Sequence, residues 1–435
     1  MMELYEIFKK CGSVTTDSRA IRGGELFIAL KGENFDGNAY ALKALESGAA
    51  YAVVNRGSEA AFSGDARVIA VDDTLETLQA LANAHRNALM ADGHRLTVLG
   101  LTGTNGKTTT KELIRAVLAA KYEVGATSGN LNNDIGVPLT ILGFTEDTGI
   151  AIVEMGANHP DDILRLVKVC EPDLGLITNV GKAHLLGFGS FEGVKRAKGR
   201  LYDWIASHGG EIFLNVDDPV LSGMADERPG LSILPYGLEY DHASVLPSSP
   251  EEPFLRIRLG HRIVRTNLVG AYNASNVMAA LAVGARFGVP IEDAVEAIGA
   301  FVPANNRSQM MRTALNTLII DAYNANPSSM AAALDNFASV EAEPKYALLG
   351  DMRELGDDSL AEHCTIVRKA LDSGCTPVFV GNEFRKALDS TGVDALWFED
   401  SGQLASHLRE HPMCGSCILV KGSRGIRMEA VIPFL

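Results

Sequence analysis

The chain has 435 residues, of which 46% are hydrophobic, and its 54 acidic and 39 basic residues give a formal net charge of -15. This length allows two or three domains with full hydrophobic cores. The acidic balance argues against general binding to a nucleic acid backbone, so no nucleic acid partner is expected. An anionic substrate would have to be met by local positive groups rather than by the overall field.

The sequence also argues against a membrane span, a signal peptide and structural disulfide bonds. No run of about eighteen apolar residues occurs, so no membrane span is expected. The first ten residues lack the long apolar stretch of a signal peptide. Cys414 and Cys417 have a metal-like or redox-like spacing but no second pair, and reduced thiols are the simpler interpretation. These features predict a cytoplasmic protein, and we expect a monomer.

The first block of the chain, residues 1–82, mixes short apolar runs with glycine turns. Leu26–Leu30, Ala50–Val54 and Val68–Val71 are typical of buried strands. The block ends in a helical pattern that begins at Leu75 and leads into the next domain.

The second block, residues 83–303, opens with the most informative segment of the chain. An apolar stretch that ends at Leu101 runs into a glycine-rich turn, a lysine, threonines and a helix-like pattern. A strand, a glycine loop and a helix N-terminus together form a cradle for phosphate. Lys107 would reach the β- and γ-phosphates, and the Thr108 hydroxyl would reach Mg²⁺. The full P-loop pattern has a glycine where Leu101 stands, so Gly103 gives a shorter form, and a plain glycine turn is the alternative.

Strands and helices alternate in the rest of this block. Ala151–Val153, Leu174–Thr178 and Glu211–Leu214 resemble buried strands of a mostly parallel sheet with helices on both faces. Residues 229–270 contain short alternating runs that predict an antiparallel hairpin added to that sheet, and a helix is expected from about Asn273 to Phe287.

The third block, residues 304–435, again alternates strand and helix and predicts a second, smaller doubly wound domain. Its expected strands are Leu318–Asp321, Tyr346–Gly350, Pro377–Val380 and Cys417–Val420. The chain as a whole is therefore predicted to be a three-domain α/β protein.

Several polar residues follow predicted strands, where ligands bind in open α/β sheets. Glu154 at a strand end near a P-loop is a natural Mg²⁺ ligand, with a surface or capping role as the alternative. His184 follows another strand, although a lone histidine is more often structural. Lys198 lies in a basic cluster that could be a solvated face or a phosphate contact. Asp321 precedes a turn rich in polar residues, which is typical of a ligand-binding site. The alternative is that these residues only form Asx-turns, in which side chains hydrogen-bond the local backbone.

In combination these segments resemble the Mur ligases, ATP-dependent amide-forming enzymes of peptidoglycan synthesis. The resemblance runs from about Thr15 to Glu429. In the first block, 16–19 and 30–37 match the family's UDP-sugar docking region, and Asn38 stands where the family often has histidine. The residues that this match implies for the UDP-substrate are Ser18, Arg19, Lys31, Phe35, Asp36 and Asn38, joined by Asn132 and Asn133 of the second block.

In the central block the resemblance implies an ATP site and a magnesium site. Thr108, Glu154 and His184 would be magnesium ligands, together with Lys198, which aligns with a lysine that the family carries as a CO₂-derived carbamate. Arg200 replaces the glutamate that usually follows this lysine. The ATP-binding residues implied are Gly103, Thr104, Asn105, Gly106, Lys107, Thr108, Thr109, Asn273, Asn276, Arg307 and Asp321.

In the third block, Arg307 would face the transferring phosphate and Asp321 would hold the ribose of ATP. Lys107, His184, Lys198 and Arg307 are the implied catalytic residues. The turn after Asp321 matches the region facing the acceptor, represented by Tyr323, Asn324 and Asn326. The segments 350–356 and 420–424 also match, but no role is assigned to Asp351 or Lys421.

The resemblance implies three domains: a small α/β UDP-substrate domain, a central P-loop domain with a mostly parallel doubly wound sheet, and a C-terminal Rossmann-like α/β ligase domain. The Asp-Asn-Pro-Arg signature of the ligase that adds the third peptide residue is missing. With that signature missing, the resemblance implies UDP-N-acetylmuramoyl-tripeptide, ATP and D-alanyl-D-alanine as the substrates. A sibling muramyl-peptide or folate-type ligase is the nearest alternative, and a nucleotide-driven switch or non-catalytic binding module is an alternative of another class.

Overall fold

The computed structural model describes residues 1–32, 34–58, 64–91, 96–249, 252–303 and 307–435. Within these ranges the chain forms three sheets flanked by helices, plus two small antiparallel sheets. None of the helices described there is both long and apolar enough to cross a membrane.

The N-terminal part is built on a small parallel sheet. Its elements are α1 (Met2–Cys11), β1 (Val14–Thr15), β2 (Leu26–Ile28), β3 (Lys31–Gly32), β4 (Phe35–Asp36), α2 (Ala41–Glu46), β5 (Tyr51–Asn55), β6 (Val68–Val71) and α3 (Thr74–Ala88). The sheet order is β1-β2-β5-β6, and β3 pairs with β4 as an exposed hairpin. Asp73 caps α3 by accepting hydrogen bonds from the backbone of Leu75 and Glu76, which fixes where this helix begins.

The central part carries a six-stranded parallel sheet. Its elements are β7 (Thr97–Thr102), α4 (Lys107–Leu118), β8 (Val124–Ala126), α5 (Gly136–Leu142), β9 (Ile150–Glu154), α6 (Asp162–Cys170), β10 (Leu174–Ile177), α7 (Leu185–Phe188), α8 (Phe191–His208), β11 (Glu211–Asn215), α9 (Pro219–Asp226), β12 (Ser232–Tyr236), β13 (Ala243–Leu246), β14 (Arg256–Leu259), β15 (Arg262–Arg265), α10 (Ala274–Arg286) and α11 (Ile291–Ala300). The sheet order is β12-β11-β10-β7-β9-β8.

Alternate residues of the central strands enter different cores, as a sheet covered on both faces requires. Val98 and Val153 belong to one hydrophobic cluster, which includes residues of α5, α6 and α8. Leu99 and Ile152 belong to another, which includes residues of α4 and α10. The doubly wound central sheet predicted from the sequence is confirmed.

One expectation for this part is wrong. Residues 229–270 do not add an antiparallel hairpin to the main sheet, because β12 joins that sheet in parallel to β11. Strands β13, β14 and β15 instead form a separate antiparallel sheet. Ile257 and Val264 of this sheet are buried in the same cluster as α4 and α10, so packing against helices replaces pairing with the main sheet.

The C-terminal part carries a second six-stranded sheet. Its elements are β16 (Gln309–Arg312), β17 (Thr317–Asp321), α12 (Pro327–Ala338), β18 (Lys345–Gly350), α13 (Ser359–Asp372), β19 (Thr376–Val380), α14 (Asn382–Thr391), β20 (Leu396–Phe398), α15 (Ser401–Glu410) and β21 (Cys417–Lys421). The order is β16-β17-β21-β18-β19-β20, and only the pairing of β16 with β17 is antiparallel. The predicted α/β fold class is confirmed here too.

The domain boundaries stay predictions. The boundary after residue 82 falls inside α3, whose Leu78 and Ala82 share a core cluster with Val137 and Ile163 of the central part. The boundary between 303 and 304 borders residues outside the described ranges.

Candidate active site

The loop between β7 and α4 has the backbone of a phosphate cradle. Gly103 has a φ of 150°, and a Cβ there would lie 1.9 Å from Thr178 Oγ1. Gly106 has a φ of 80° and directly precedes α4, and a Cβ there would lie 2.6 Å from Asn276 Oδ1. Both positions therefore need glycine, and they deliver the N-terminus of a twelve-residue helix to the edge of the sheet.

Two lysines converge on this loop. Lys107 Nζ donates to the carbonyl oxygens of Gly103 at 2.8 Å and Thr104 at 3.1 Å. Lys198 Nζ, projecting from α8, donates to the same Gly103 oxygen at 2.9 Å. Burial lowers the pKa of Lys107, and burial together with the Lys107 charge holds the pKa of Lys198 well below its usual value. The loop thus brings two lysine amines to the place where a phosphate would sit.

Glu154 ends β9 at the same edge and is 2% exposed. Its Oε2 accepts a hydrogen bond from Thr108 Oγ1 at 2.9 Å, and its Oε1 accepts one from Asn132 Nδ2 at 2.8 Å. The backbone N–H of Glu154 is held by Thr127 Oγ1. A buried carboxylate with a hydroxyl beside it offers hard oxygen ligands for Mg²⁺.

Asn273 and Asn276, two of the predicted ATP-binding residues, are buried and linked to each other. Asn276 Nδ2 donates to Asn273 Oδ1 at 2.9 Å, and Asn276 Oδ1 accepts from Thr110 Oγ1. Asn273 Nδ2 in turn donates to the carbonyl of Val269. This chain of bonds fixes both amides beside the glycine loop.

The C-terminal part supplies the opposite wall. Asp321 ends β17 and pairs with Lys421 Nζ, which ends β21 and is 1% exposed; their closest N–O distance is 2.5 Å. Arg307 lies with its guanidinium carbon 3.6 Å from the centre of the Tyr323 ring, and Arg424 lies 5.5 Å from the same centre. Arg307 Nε is buried and has no hydrogen-bond partner among the described residues, as expected of a group that awaits an anion.

The acceptor-side turn reaches the loop directly. Asn326 caps α12 and its Nδ2 donates to Asn105 Oδ1 at 2.8 Å, which connects the third predicted domain to the phosphate cradle. Asn324 Oδ1 accepts from the backbone of Ala325, so its side chain also stabilises the turn itself.

His184 meets a residue that the sequence did not single out. Its Nδ1 contacts the carboxylate of Glu354, which lies in the third predicted domain. Burial lowers the pKa of His184, while the Glu354 charge opposes that shift. Lys421, to which the sequence assigned no role, and Tyr272, which it did not single out, also line the cavity. Only their position within segments that match the family could have indicated them.

A cavity of about 380 Å³ unites most of the predicted site. Thr108 is buried beneath it, hydrogen-bonded to Glu154. A larger cavity of about 760 Å³ lies elsewhere between the central and C-terminal parts and contains none of the predicted site residues. The predicted residues that line the 380 Å³ cavity are Gly103, Thr104, Asn105, Gly106, Lys107, Thr109, Asn132, Glu154, His184, Lys198, Asn273, Asn276, Arg307, Asp321, Tyr323, Asn324 and Asn326.

The N-terminal residues predicted for the UDP-substrate do not line this cavity. Arg19 forms an exposed ion pair with Asp17, and Lys31 lies 3.8 Å from Asp36 in the β3–β4 hairpin. Phe35 is exposed and stacks on Tyr40. Ser18, half-buried, lies in the loop after β1.

Two of the predicted UDP-substrate residues have structural partners. The amide of Asn38 donates to Asp36 and Asn55 and accepts from the backbone of Asn55, so its side chain supports the hairpin. Asn133 Oδ1 accepts from the backbone of Gly136 at the start of α5. Direct substrate contacts by these two residues stay predictions.

Three family models match the chain in order: Mur ligase family, catalytic domain, over residues 10–86; Mur ligase middle domain, over 101–284; and Mur ligase, glutamate ligase domain, over 306–424. The UDP-N-acetylmuramoyl-tripeptide--D-alanyl-D-alanine ligase of Bacillus subtilis (strain 168) is 35% identical over 97% of this chain and 92% of its own length. The chain belongs to the Mur ligase family.

Solved structures agree with this assignment. A MurF crystal structure from Acinetobacter baumannii has a TM-score of 0.86 at 29% identity and covers 99% of this chain and 97% of that chain. MurF ligase from Thermotoga maritima, solved in complex with ADP, has a TM-score of 0.81 at 26% identity and covers 97% and 96%. The similarity extends over all three parts of this Mur ligase.

Proposed function

We propose that this chain is an ADP-forming, ATP-dependent amide ligase that joins D-alanyl-D-alanine to UDP-N-acetylmuramoyl-tripeptide in peptidoglycan precursor synthesis. The observation that carries the proposal is the meeting of the glycine loop, Lys107, Glu154 and Arg307 in one cavity between the central and C-terminal parts. The full-length similarity to ligases of that name supports the choice of substrates.

The first chemical step is phosphoryl transfer. The terminal carboxylate of the tripeptide attacks the γ-phosphorus of ATP, the bond to the bridging oxygen breaks, and ADP leaves an acyl phosphate behind. Lys107 and Arg307 stabilise the negative charge that spreads over the transferring group, and the backbone N–H groups of the loop hold the remaining phosphates. The protein contributes position and charge rather than a nucleophile.

The second step is amide formation. The free amine of D-alanyl-D-alanine attacks the acyl carbon, a tetrahedral intermediate forms, and inorganic phosphate leaves. Tyr323, Asn324 and Asn326 line the side of the cavity from which we expect the dipeptide to approach. The bond between Asn326 and Asn105 brings that side against the loop, and such closure excludes the water that would hydrolyse the acyl phosphate.

Magnesium fits the residues present. Glu154 and Thr108 place a carboxylate and a hydroxyl within 2.9 Å of each other, and His184 lines the same cavity. The described residues contain no cluster of three or more His, Cys, Asp or Glu side chains suited to a metal, so a further ligand has to come from elsewhere. When bound, the cation would neutralise phosphate charge.

A carbamate on Lys198 would supply that ligand. The unmodified amine is 3% exposed, lies beside Lys107 and hydrogen-bonds only a carbonyl among the described residues, a costly place for a second cation. Because its pKa is held low, a neutral amine, the form that reacts with CO₂, is accessible. The resulting anion would reverse the charge at this position.

The N-terminal hairpin, with Phe35 and Asp36, is our proposed docking surface for the UDP moiety. We also expect the enzyme to act as a monomer. We place the reaction in the cytoplasm, since it consumes ATP.

The test is phosphate release by the purified protein with ATP, Mg²⁺, UDP-N-acetylmuramoyl-tripeptide and D-alanyl-D-alanine, omitting each in turn. We expect release only when all four are present, and a pentapeptide product by mass spectrometry. Turnover with a free amino acid in place of the dipeptide would favour a sibling ligase. Nucleotide binding without turnover in any combination would favour a non-catalytic module.

A further inference from the structure

Glu354 lies between β18 and α13 and extends its carboxylate across to the central part, where it contacts Nδ1 of His184. A second hydrogen bond joins the same two segments: the backbone N–H of Leu186 donates to the Glu354 carbonyl at 3.3 Å. His184 and Glu354 both have left-handed backbones, with φ of 52° and 65°. Such conformations are uncommon outside glycine, and the surroundings have to hold them in place.

The other side of the imidazole faces the site. His184 lines the cavity with Glu154, Lys107 and Lys198, and its Nε2 has no hydrogen-bond partner among the residues that the structure describes. A neutral imidazole has one N–H, and the carboxylate at Nδ1 favours that proton there, leaving the lone pair on Nε2.

We propose that Glu354 is a positioning residue: from the C-terminal part it orients the His184 imidazole so that Nε2 can bind a divalent cation in the cavity. The inference rests on the proposed magnesium site. Metal-bound histidines commonly donate their other N–H to a carboxylate, which fixes tautomer and ring orientation. Here that carboxylate comes from another part of the fold, so metal affinity depends on the two parts being in contact.

The chain offers a matched control at the same boundary. Lys182, two residues before His184, forms an ion pair with Glu362 of α13 at 2.7 Å. This pair also joins the central and C-terminal parts, but neither residue lines the cavity. Removing the Glu362 charge therefore weakens the same interface without touching the imidazole.

The experiment titrates the full-length protein with Mn²⁺ alone in bicarbonate buffer and measures free Mn²⁺ by electron paramagnetic resonance. The variants are Glu354→Gln, Glu354→Asp, Glu362→Gln and His184→Ala. The Glu354 side chain is 56% exposed, so its substitution should leave the fold intact, and thermal unfolding midpoints check this. We expect Glu354→Gln to weaken Mn²⁺ binding about 10–100-fold, with partial recovery in Glu354→Asp and no change in Glu362→Gln.

Two results would overturn this inference but leave the proposed magnesium site standing. If Mn²⁺ binding weakens in His184→Ala but not in Glu354→Gln, His184 is a metal ligand that does not need Glu354 to position it. Equal losses in Glu354→Gln and Glu362→Gln would mean that interface contact, rather than the imidazole, controls the affinity. Unchanged binding in His184→Ala would instead remove His184 from the proposed magnesium site, and the inference would fail with that assignment.

Discussion

The two walls of the 380 Å³ cavity, one from the central part and one from the C-terminal part, are built in different ways. The central wall has a local centre, because the loop 103–109 carries its own turn, its lysine and its helix N-terminus. Glu154 and Lys198 reach this loop from farther along the chain. The C-terminal wall depends on long-range pairs such as Asp321 with Lys421, which lie 100 residues apart. The central wall should therefore respond to substitution mainly in chemistry, and the C-terminal wall also in stability and position.

The largest effect should come from the central wall. Lys107→Ala removes the cation nearest the cradled phosphates, and we expect kcat to fall by at least about 10²–10³-fold, the scale for loss of one transition-state donor. Affinity for the UDP-substrate should stay largely unchanged. Coupled-assay kinetics and substrate titration measure both, with the exposed Lys168→Ala as control. Retention of most of the activity would contradict the phosphate-loop assignment.

The next effect tests the chemistry of the second buried lysine. Lys198→Ala should lower kcat about 10–100-fold, as expected when a ligand that tunes a metal is lost. Added acetate should restore part of the rate, because a small carboxylate can occupy the place of the carbamate. Lys195→Ala, on the same helix but outside the cavity, should show neither loss nor rescue. Full activity of Lys198→Ala without acetate would show that no essential carbamate forms there.

A substitution in the C-terminal wall should lower the free energy of unfolding. Lys421→Met leaves Asp321, whose side chain is 19% exposed, without its cation. Breaking a buried pair costs about 3–5 kcal/mol, and because Asp321 keeps some contact with water we expect a loss of about 2–3 kcal/mol in the free energy of unfolding. Urea unfolding measures this value. The double variant Lys421→Met with Asp321→Asn should recover part of it, and additive losses would contradict a direct coupling.

The same contrast explains what could be predicted from the sequence. The four inner strands of each large sheet and the glycine loop were predictable because apolar runs and turn residues act locally. The edge strands β8, β12, β16 and β20 were not predicted as members of these sheets. The attachment of residues 229–270 was predicted wrongly, because burial of Ile257 and Val264 against helices, rather than strand pattern, decides where that sheet lies. Glu354 could not be linked to His184 in advance, since 170 residues separate them and only the fold brings them together.

The smallest effect is expected in the N-terminal part, which lies outside both walls of the cavity. Phe35 is 53% exposed and stacks on Tyr40, with ring centres 5.4 Å apart. Because it is so exposed, Phe35→Ala should change the free energy of unfolding by less than about 0.5 kcal/mol. If the ring instead stacks on the UDP moiety, its loss should raise KM for the UDP-substrate roughly 3–10-fold, the scale of one aromatic stacking contact.

The kinetic pattern distinguishes docking from catalysis. A residue that binds ground state and transition state equally changes KM and leaves kcat unaltered. Leu42→Ala, a substitution of another exposed apolar residue in the N-terminal part, is the matched control and should leave both constants unchanged. An unchanged KM in Phe35→Ala would remove this ring from the docking surface. A fall in kcat would mean that the N-terminal part also helps to position the tripeptide carboxylate, so that the contrast would no longer lie between two walls alone.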